Sequence, residues 1–160
     1  ARLTVAPNIK DFVGAHIEEA TDSSSPTAAQ FSLTFTVAAA LKRGDFFLKE
    51  LQPEIISDPN IRALAHKIEV VTDPAFSTDF VVGRTGLEIE TETGETFEFE
   101  AELPLGNPSR PMDFQACVDK TEKCADFSIN PPSKKAIERF AARVAVLETL
   151  EDVSVLVEEL

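Results

Sequence analysis

Two polar side chains, Gln30 and Ser32, lie at the start of a long apolar helical pattern. The free backbone N–H groups at a helix N-terminus attract anions, and amide or hydroxyl side chains can add hydrogen bonds to the same ligand. Gln30 and Ser32 are therefore candidates to contact an anionic ligand. Helix capping and tertiary hydrogen bonds explain both side chains at least equally well.

The histidines and cysteines do not follow a metal-binding pattern in the sequence. His16 and His66 are the two histidines of the chain, and neither stands at ligand spacing from the other or from a cysteine. Cys117 and Cys124 lie seven residues apart in a predicted helix. Their separation along the helix axis is about 10.5 Å, whereas a disulfide needs Cα atoms within roughly 7 Å of each other. We predict two buried, reduced thiols and no metal site.

The helix that contains Gln30 and Ser32 is predicted to be capped by Thr27 and to end at Gly44. Its apolar residues fall on more than one face, which is typical of a helix buried on several sides. The simpler interpretation is that it forms the centre of this domain's own core. Alternatively, part of its surface faces another domain.

Short strands are predicted on both sides of this helical region. The first covers residues 3–6, and the second covers residues 67–72, where Ile68 and Val70 share one face. Shorter helices are predicted between them, and strand content is also expected near residues 80–82.

A β-hairpin is predicted around Thr93 and Gly94. A two-residue turn would place Ile89 opposite Glu98 and mix the two faces of the hairpin. A three-residue loop instead pairs Ile89 with Phe97 and gives Gly94 the left-handed conformation, so we favour that register. Five glutamates then share the opposite face, which we predict to be solvated rather than a calcium site. They are Glu88, Glu90, Glu98, Glu100 and Glu102.

Two further helices are predicted near the C-terminus, one capped by Asp113 and one by Ser133. Together with about four strands in a largely antiparallel sheet, they define an α+β fold with helices packed on the sheet. The chain has 160 residues, of which 43% are hydrophobic, and this size predicts a single domain over residues 1–160.

The charge of the chain limits its partners. It has 28 acidic and 15 basic residues, for a net charge of −13, which argues against binding to nucleic acid. No apolar run approaches the roughly 20 residues of a membrane span, and residues 1–5 resemble a strand rather than the start of a signal peptide. We therefore expect a cytoplasmic protein without a membrane partner.

Several short motifs occur along the chain in a fixed order, namely Ala29-Gln30-Phe31-Ser32-Leu33, residues 58–65, residues 106–112 and residues 147–153. They resemble motifs of the MmgE/PrpD family, which includes 2-methylcitrate dehydratase, cis-aconitate decarboxylase and iminodisuccinate epimerase. Together they cover nearly the whole chain, and they match roughly the last third of a family enzyme. The resemblance implies the C-terminal lid domain, with a chorismate-mutase-like arrangement and without the helical domain that precedes it in the family.

The resemblance also implies a chemistry. The family's reactions remove a proton next to a carboxylate and need no metal or organic cofactor. It suggests Gln30, Ser32 and Lys120 as substrate-binding residues, since Lys120 resembles a lysine on a family helix. Arg110 and Lys10 are other possible carboxylate ligands, although a surface charge explains each of them better.

One residue departs from part of the family. In the dehydratase and decarboxylase branches a histidine precedes the small residue of the first motif, whereas this chain has Phe31, which cannot carry a proton. The catalytic residues therefore stay unassigned. We expect the lid of a lyase or isomerase for a small di- or tricarboxylate, inactive without its helical domain and part of a homodimer. The alternative is a free-standing, non-catalytic module for dimerisation or ligand binding.

Overall fold

The computed structural model describes residues 1–20, 22–77 and 83–159, and for residues 157–159 it describes the backbone alone. The chain divides into two compact units, Ala1–Arg110 (unit 1) and Pro111–Leu160 (unit 2). The strand content predicted near residues 80–82 lies outside the described residues. The single domain predicted for residues 1–160 stays a prediction.

Unit 1 is built on a four-stranded mixed sheet. Its strands are β1 (Arg2–Val5), β2 (Glu69–Thr72), β3 (Thr85–Glu90) and β4 (Thr96–Ala101), in the order β2-β1-β3-β4. Strand β1 pairs in parallel with β2, and the β1–β3 and β3–β4 pairs are antiparallel. The predicted α+β class with a largely antiparallel sheet is confirmed.

In the described part of unit 1, five short α-helices accompany the sheet. They are α1 (Pro7–Val13), α2 (Pro26–Gln30), α3 (Leu33–Arg43), α4 (Pro53–Ile56) and α5 (Pro59–Ala65). Four of them begin with proline, whose fixed φ suits the first helical position and whose missing N–H costs no hydrogen bond there. Turns of 3-10 helix lie at Ile17–Glu19, Leu48–Leu51 and Pro74–Phe76.

The prediction of one long helix between Thr27 and Gly44 is wrong in one respect, because the structure has two helices there, α2 and α3. Ser32 has an extended backbone, with φ −116° and ψ 104°, and its hydroxyl accepts a hydrogen bond from the N–H of Phe35. An extended residue with a side-chain oxygen begins a new helix. Ser25, and not Thr27, caps α2. Gly44 ends α3 in the left-handed conformation as predicted.

The core of unit 1 lies between the sheet and α3. Phe35, Ala38 and Ala39 of α3 are fully buried and belong to the same cluster as Leu3 and Ile68. The prediction that this helix forms the centre of the domain's own core is confirmed. The predicted burial of Ile68 and Val70 on one face of the second strand is confirmed as well.

The hairpin has the predicted register. Ile89 pairs with Phe97, and Gly94 adopts φ 85° in the connecting loop. All five glutamates of the opposite face are exposed, as expected. However, Phe97 and Phe99 are also 47% and 58% exposed. The described residues therefore leave much of the apolar side of β4 uncovered.

Unit 2 contains α6 (Phe114–Ala125) and α7 (Lys134–Val144), followed by 3-10 turns at Leu147–Thr149 and Val153–Glu159. Asp113 and Ser133 cap the two α-helices, which confirms both predicted caps. Cys117 and Cys124 are free thiols, but both are exposed. Their predicted burial is wrong because α6 has no fully buried residue, although it packs against α7. Among the described residues, no helix combines the length and the apolar character that a membrane crossing requires.

Candidate functional site

The richest polar arrangement of unit 1 surrounds the start of α3. We call it the His16 cluster, and it consists of residues at the 3-10 turn Ile17–Glu19, at the start of α3 and at the end of α5. Its members are His16, Glu18, Ser32, Thr34, Arg62 and His66.

Ser32 connects α3 to the chain that precedes the 3-10 turn. Its Oγ donates a hydrogen bond to the carbonyl oxygen of Ala15 at 3.0 Å and lies 3.2 Å from Oγ1 of Thr34. Both side chains are buried, with relative exposures of 1% for Ser32 and 0% for Thr34. The hydroxyl groups thus satisfy each other and the backbone inside the core, as buried polar groups must.

His16 extends this network to the surface. Its Nδ1 lies 3.3 Å from Oγ1 of Thr34. The carboxylate of Glu19 accepts a hydrogen bond from the His16 N–H at 3.2 Å, which fixes the beginning of the 3-10 turn. The imidazole ring stacks on that of His66, with 5.2 Å between the ring centroids and 23° between the ring planes.

Glu18 and Arg62 complete the cluster. Oε1 of Glu18 lies 3.6 Å from Nε2 of His66 and 3.5 Å from Nη1 of Arg62. Arg62 also donates hydrogen bonds to the carbonyl oxygens of Ile56 at 2.9 Å and Ser23 at 2.8 Å. The guanidinium group therefore holds α4, α5 and the loop before α2 together, and it also pairs with the carboxylate of Glu18.

The predicted ligand residues Gln30 and Ser32 differ in their surroundings. Gln30 is the last residue of α2 and is exposed. Next to it, Phe31 is 46% exposed and contacts Phe12 edge to face, with 5.4 Å between the ring centroids. The Ser32 hydroxyl is committed to the capping and tertiary bonds that the sequence offered as its other explanation. A substrate contact by either residue stays a prediction.

The predicted cationic candidates have mixed positions. Nζ of Lys10 donates a hydrogen bond to the carbonyl oxygen of Val70 at 2.8 Å, and Nη1 of Arg110 donates to that of Leu103 at 2.8 Å. Lys120 is an exposed residue of α6 and belongs to unit 2. Lys10 and Arg110 thus each have a structural partner. The role of Lys120 as a substrate ligand stays a prediction.

Sequence reasoning missed the meeting of His16, Glu18 and His66. The two histidines stand 50 positions apart in sequence, and only the packing of α5 beside the 3-10 turn brings them together. No local spacing rule could have found the pair. The one available signal was that the chain contains no other histidine.

The fold and the site define an α+β domain in which a capped helix start carries two buried hydroxyl groups that connect to a pair of imidazoles nearer the surface. The family model of the MmgE/PrpD C-terminal domain matches residues 8–145. The chain therefore belongs to the MmgE/PrpD family and represents the C-terminal lid domain of that enzyme family, as the motifs predicted. No curated protein sequence matches it significantly.

Proposed function

We propose that this chain is the lid of an MmgE/PrpD-type lyase or isomerase that removes a proton next to a carboxylate of a small di- or tricarboxylate. The family match over residues 8–145 carries this proposal. The reaction needs a base with a suitable pKa and positive groups that bind the carboxylates of the substrate. We assign the base to the helical domain, so the chain alone should not turn over.

The exposed end of α2 supports a substrate-facing surface. Phe12 and Phe31 form an aromatic pair with 68% and 46% of their surfaces exposed, and Gln30 lies beside it. Exposed apolar groups with a polar rim are typical of surfaces that another domain or a ligand covers. We propose that the helical domain of the same enzyme covers this pair and that Gln30 hydrogen-bonds to the substrate there.

The charge distribution indicates where the cations of the site come from. The chain carries a net charge of −13, which repels a polycarboxylate. In unit 1, the side chains of Lys10 and Arg62 already bond to backbone carbonyl oxygens. We therefore propose that the helical domain supplies most of the positive groups and that Lys120 adds one. We also propose that the enzyme acts as a homodimer.

The test uses the protein as its native gene encodes it. Its intact mass is measured first, and a mass of about three times 17.5 kDa would fit a fused helical domain. The protein is then incubated in D₂O with a panel of small di- and tricarboxylates, and loss of C–H signals is followed by NMR. We expect exchange or conversion of at least one compound. A mass of 17.5 kDa without any exchange would favour the non-catalytic module instead.

A substitution tests the role of Gln30. Since a hydrogen bond to a charged group contributes about 1.5–3 kcal/mol, Gln30→Ala should raise KM by at least about tenfold. The control is Gln115→Ala, which removes an exposed amide that bonds to Asp119 on α6. An unchanged KM in Gln30→Ala would contradict the contact but not the proposed reaction.

A further inference from the structure

We propose that His16, Glu18 and His66 form a binding site for a divalent transition-metal ion of the Zn²⁺ type. One ligand atom from each of these three residues lies within 4.8 Å of the other two. The proposal stands on the geometry of unit 1 and does not depend on the proposed reaction.

The set of donor atoms fits such an ion. Two imidazole nitrogens and one carboxylate oxygen are typical ligands of Zn²⁺, Co²⁺ and Ni²⁺, whereas Mg²⁺ and Ca²⁺ prefer oxygen ligands alone. Three protein ligands leave a fourth position for water or another small ligand.

The distances permit closure of the site. Zn–N and Zn–O bonds of about 2.0–2.2 Å in a tetrahedron place ligand atoms roughly 3.3–3.5 Å apart. Nε2 of His66 is already 3.6 Å from Oε1 of Glu18. The side chains of His66 and Glu18 are 56% and 34% exposed, so both can rotate towards the ion without disturbing the core. Such a rotation would turn the His66 ring out of its stack on His16.

The hydrogen bonds behind His16 define which of its nitrogens can bind a metal. The carbonyl oxygen of Ala15 can only accept, so the Ser32 hydroxyl donates its one hydrogen there. Thr34 must then donate to Ser32, and its oxygen is left to accept from Nδ1–H of His16. This arrangement keeps the lone pair on Nε2 of His16. Metal-binding histidines are oriented in the same way by an acceptor at the other ring nitrogen.

Arg62 is a positively charged group beside the proposed site and opposes a cation there. Its Nη1 lies 3.5 Å from Oε1 of Glu18. Two bonds to backbone carbonyl oxygens hold the guanidinium in place, and a carboxylate has two oxygens with several lone pairs, so Glu18 can bond to Arg62 and to a metal at once. The carboxylate of Glu18 also offsets part of the combined positive charge of Arg62 and the metal ion.

The experiment is a Zn²⁺ titration of the full chain without an affinity tag, followed by calorimetry. It uses the Cys117→Ser/Cys124→Ser background, since both thiols are exposed and could bind the ion themselves. Excess Mg²⁺ blocks sites made of carboxylates alone. Metal binding releases protons from its ligands, so the titration is run in a buffer that holds the pH constant. We expect one Zn²⁺ per chain.

Substitutions test which residues bind the ion. Loss of an outer hydrogen-bond partner alone weakens metal binding about 10- to 100-fold, so His66→Gln and Glu18→Gln should each weaken it by at least about 100-fold. Thr34→Val, which removes the acceptor behind His16, should weaken it about tenfold. The matched control is Glu98→Gln, an exposed position of β4 at the opposite edge of the sheet from β2, which should bind like the parent.

Two results would overturn the proposal: no saturable Zn²⁺ binding, or binding that His66→Gln retains. His66 is exposed at the C-terminal end of α5, so this variant keeps the fold and gives a decision even if a change at His16 or Thr34 unfolds the protein. In Co²⁺-loaded protein, an absorption spectrum of tetrahedral Co²⁺ that disappears in His66→Gln provides an independent readout.

Discussion

Glu50 is a carboxylate inside unit 1, where 5% of its surface is exposed. Burial opposes its ionisation. The guanidinium of Arg43, with Nε 2.8 Å from Oε1, and the N–H of Phe47, 2.9 Å from Oε2, act in the other direction and prevail. The pKa of Glu50 consequently lies below its usual value. This carboxylate fixes the turn after α3 to the end of that helix.

We predict that Glu50→Gln lowers the free energy of unfolding by about 1–3 kcal/mol at neutral pH, since it removes a charge-assisted hydrogen bond. A depressed pKa in the folded state stabilises the protein above the pKa of the unfolded chain, and this stabilisation is lost as the pH falls through the folded-state pKa. Chemical denaturation of both proteins between pH 7 and about pH 3 should therefore show the difference shrinking at acidic pH.

The matched control for that series is Glu54→Gln, which changes the same charge at an exposed position of α4. It should alter the free energy of unfolding by less than about 0.5 kcal/mol. A stability difference between the parent and Glu50→Gln that stays constant across the pH range would contradict a lowered pKa of Glu50 in the folded state.

Single-residue contacts were the least predictable level of this molecule. The sequence placed Ser32 within one long helix capped by Thr27, whereas Ser32 begins a new helix. The sequence also did not reveal its bond to Ala15, which depends on the path of the chain 17 residues earlier. Likewise, His16 and His66 meet through packing and not through spacing. Local rules describe what a side chain can bond to, whereas the tertiary fold decides which partner lies within reach.

Elements were predictable wherever one local rule dominated. Asp113 and Ser133 cap helices because a short polar side chain before a helical stretch can bond to a free N–H group. The hairpin register followed from keeping Ile89 and Phe97 on one face. The break at Ser32 escaped the same reasoning, because the apolar pattern continues across it and its cause is a tertiary bond.

The hairpin loop offers a test of such a rule. Gly94 has φ 85°, and a Cβ placed there meets no atom within 4 Å. Any cost of Gly94→Ala therefore comes from backbone strain, and we predict a loss of about 1 kcal/mol in the free energy of unfolding. Gly94→Asn should cost less, since asparagine adopts the left-handed conformation more readily. Thermal and chemical denaturation of both variants measure this order, and equal losses would contradict the strain argument.

At the level of the whole chain, apolar burial is distributed unevenly. The buried cluster that includes Leu3, Phe35 and Ile61 lies entirely in unit 1. In unit 2, the buried apolar residues among those described are Ala136 and Ile137. The hydrophobic effect scales with the apolar area removed from water, so unit 1 should hold most of the stability of the chain. The sequence showed enough apolar residues for one core but not where that core would lie.

We therefore predict that residues 1–112 fold alone and that residues 113–160 do not form a stable unit. The cut between Met112 and Asp113 keeps the bond from Arg110 to Leu103 in the first fragment and the helix cap of Asp113 in the second. Fragment 1–112 should unfold cooperatively in urea and reproduce the amide NMR signals that unit 1 gives in the full chain. Fragment 113–160 has too small a core for independent stability and should show reduced helicity. If fragment 1–112 is unfolded, the two units depend on each other and the chain behaves as the single domain that its length predicts.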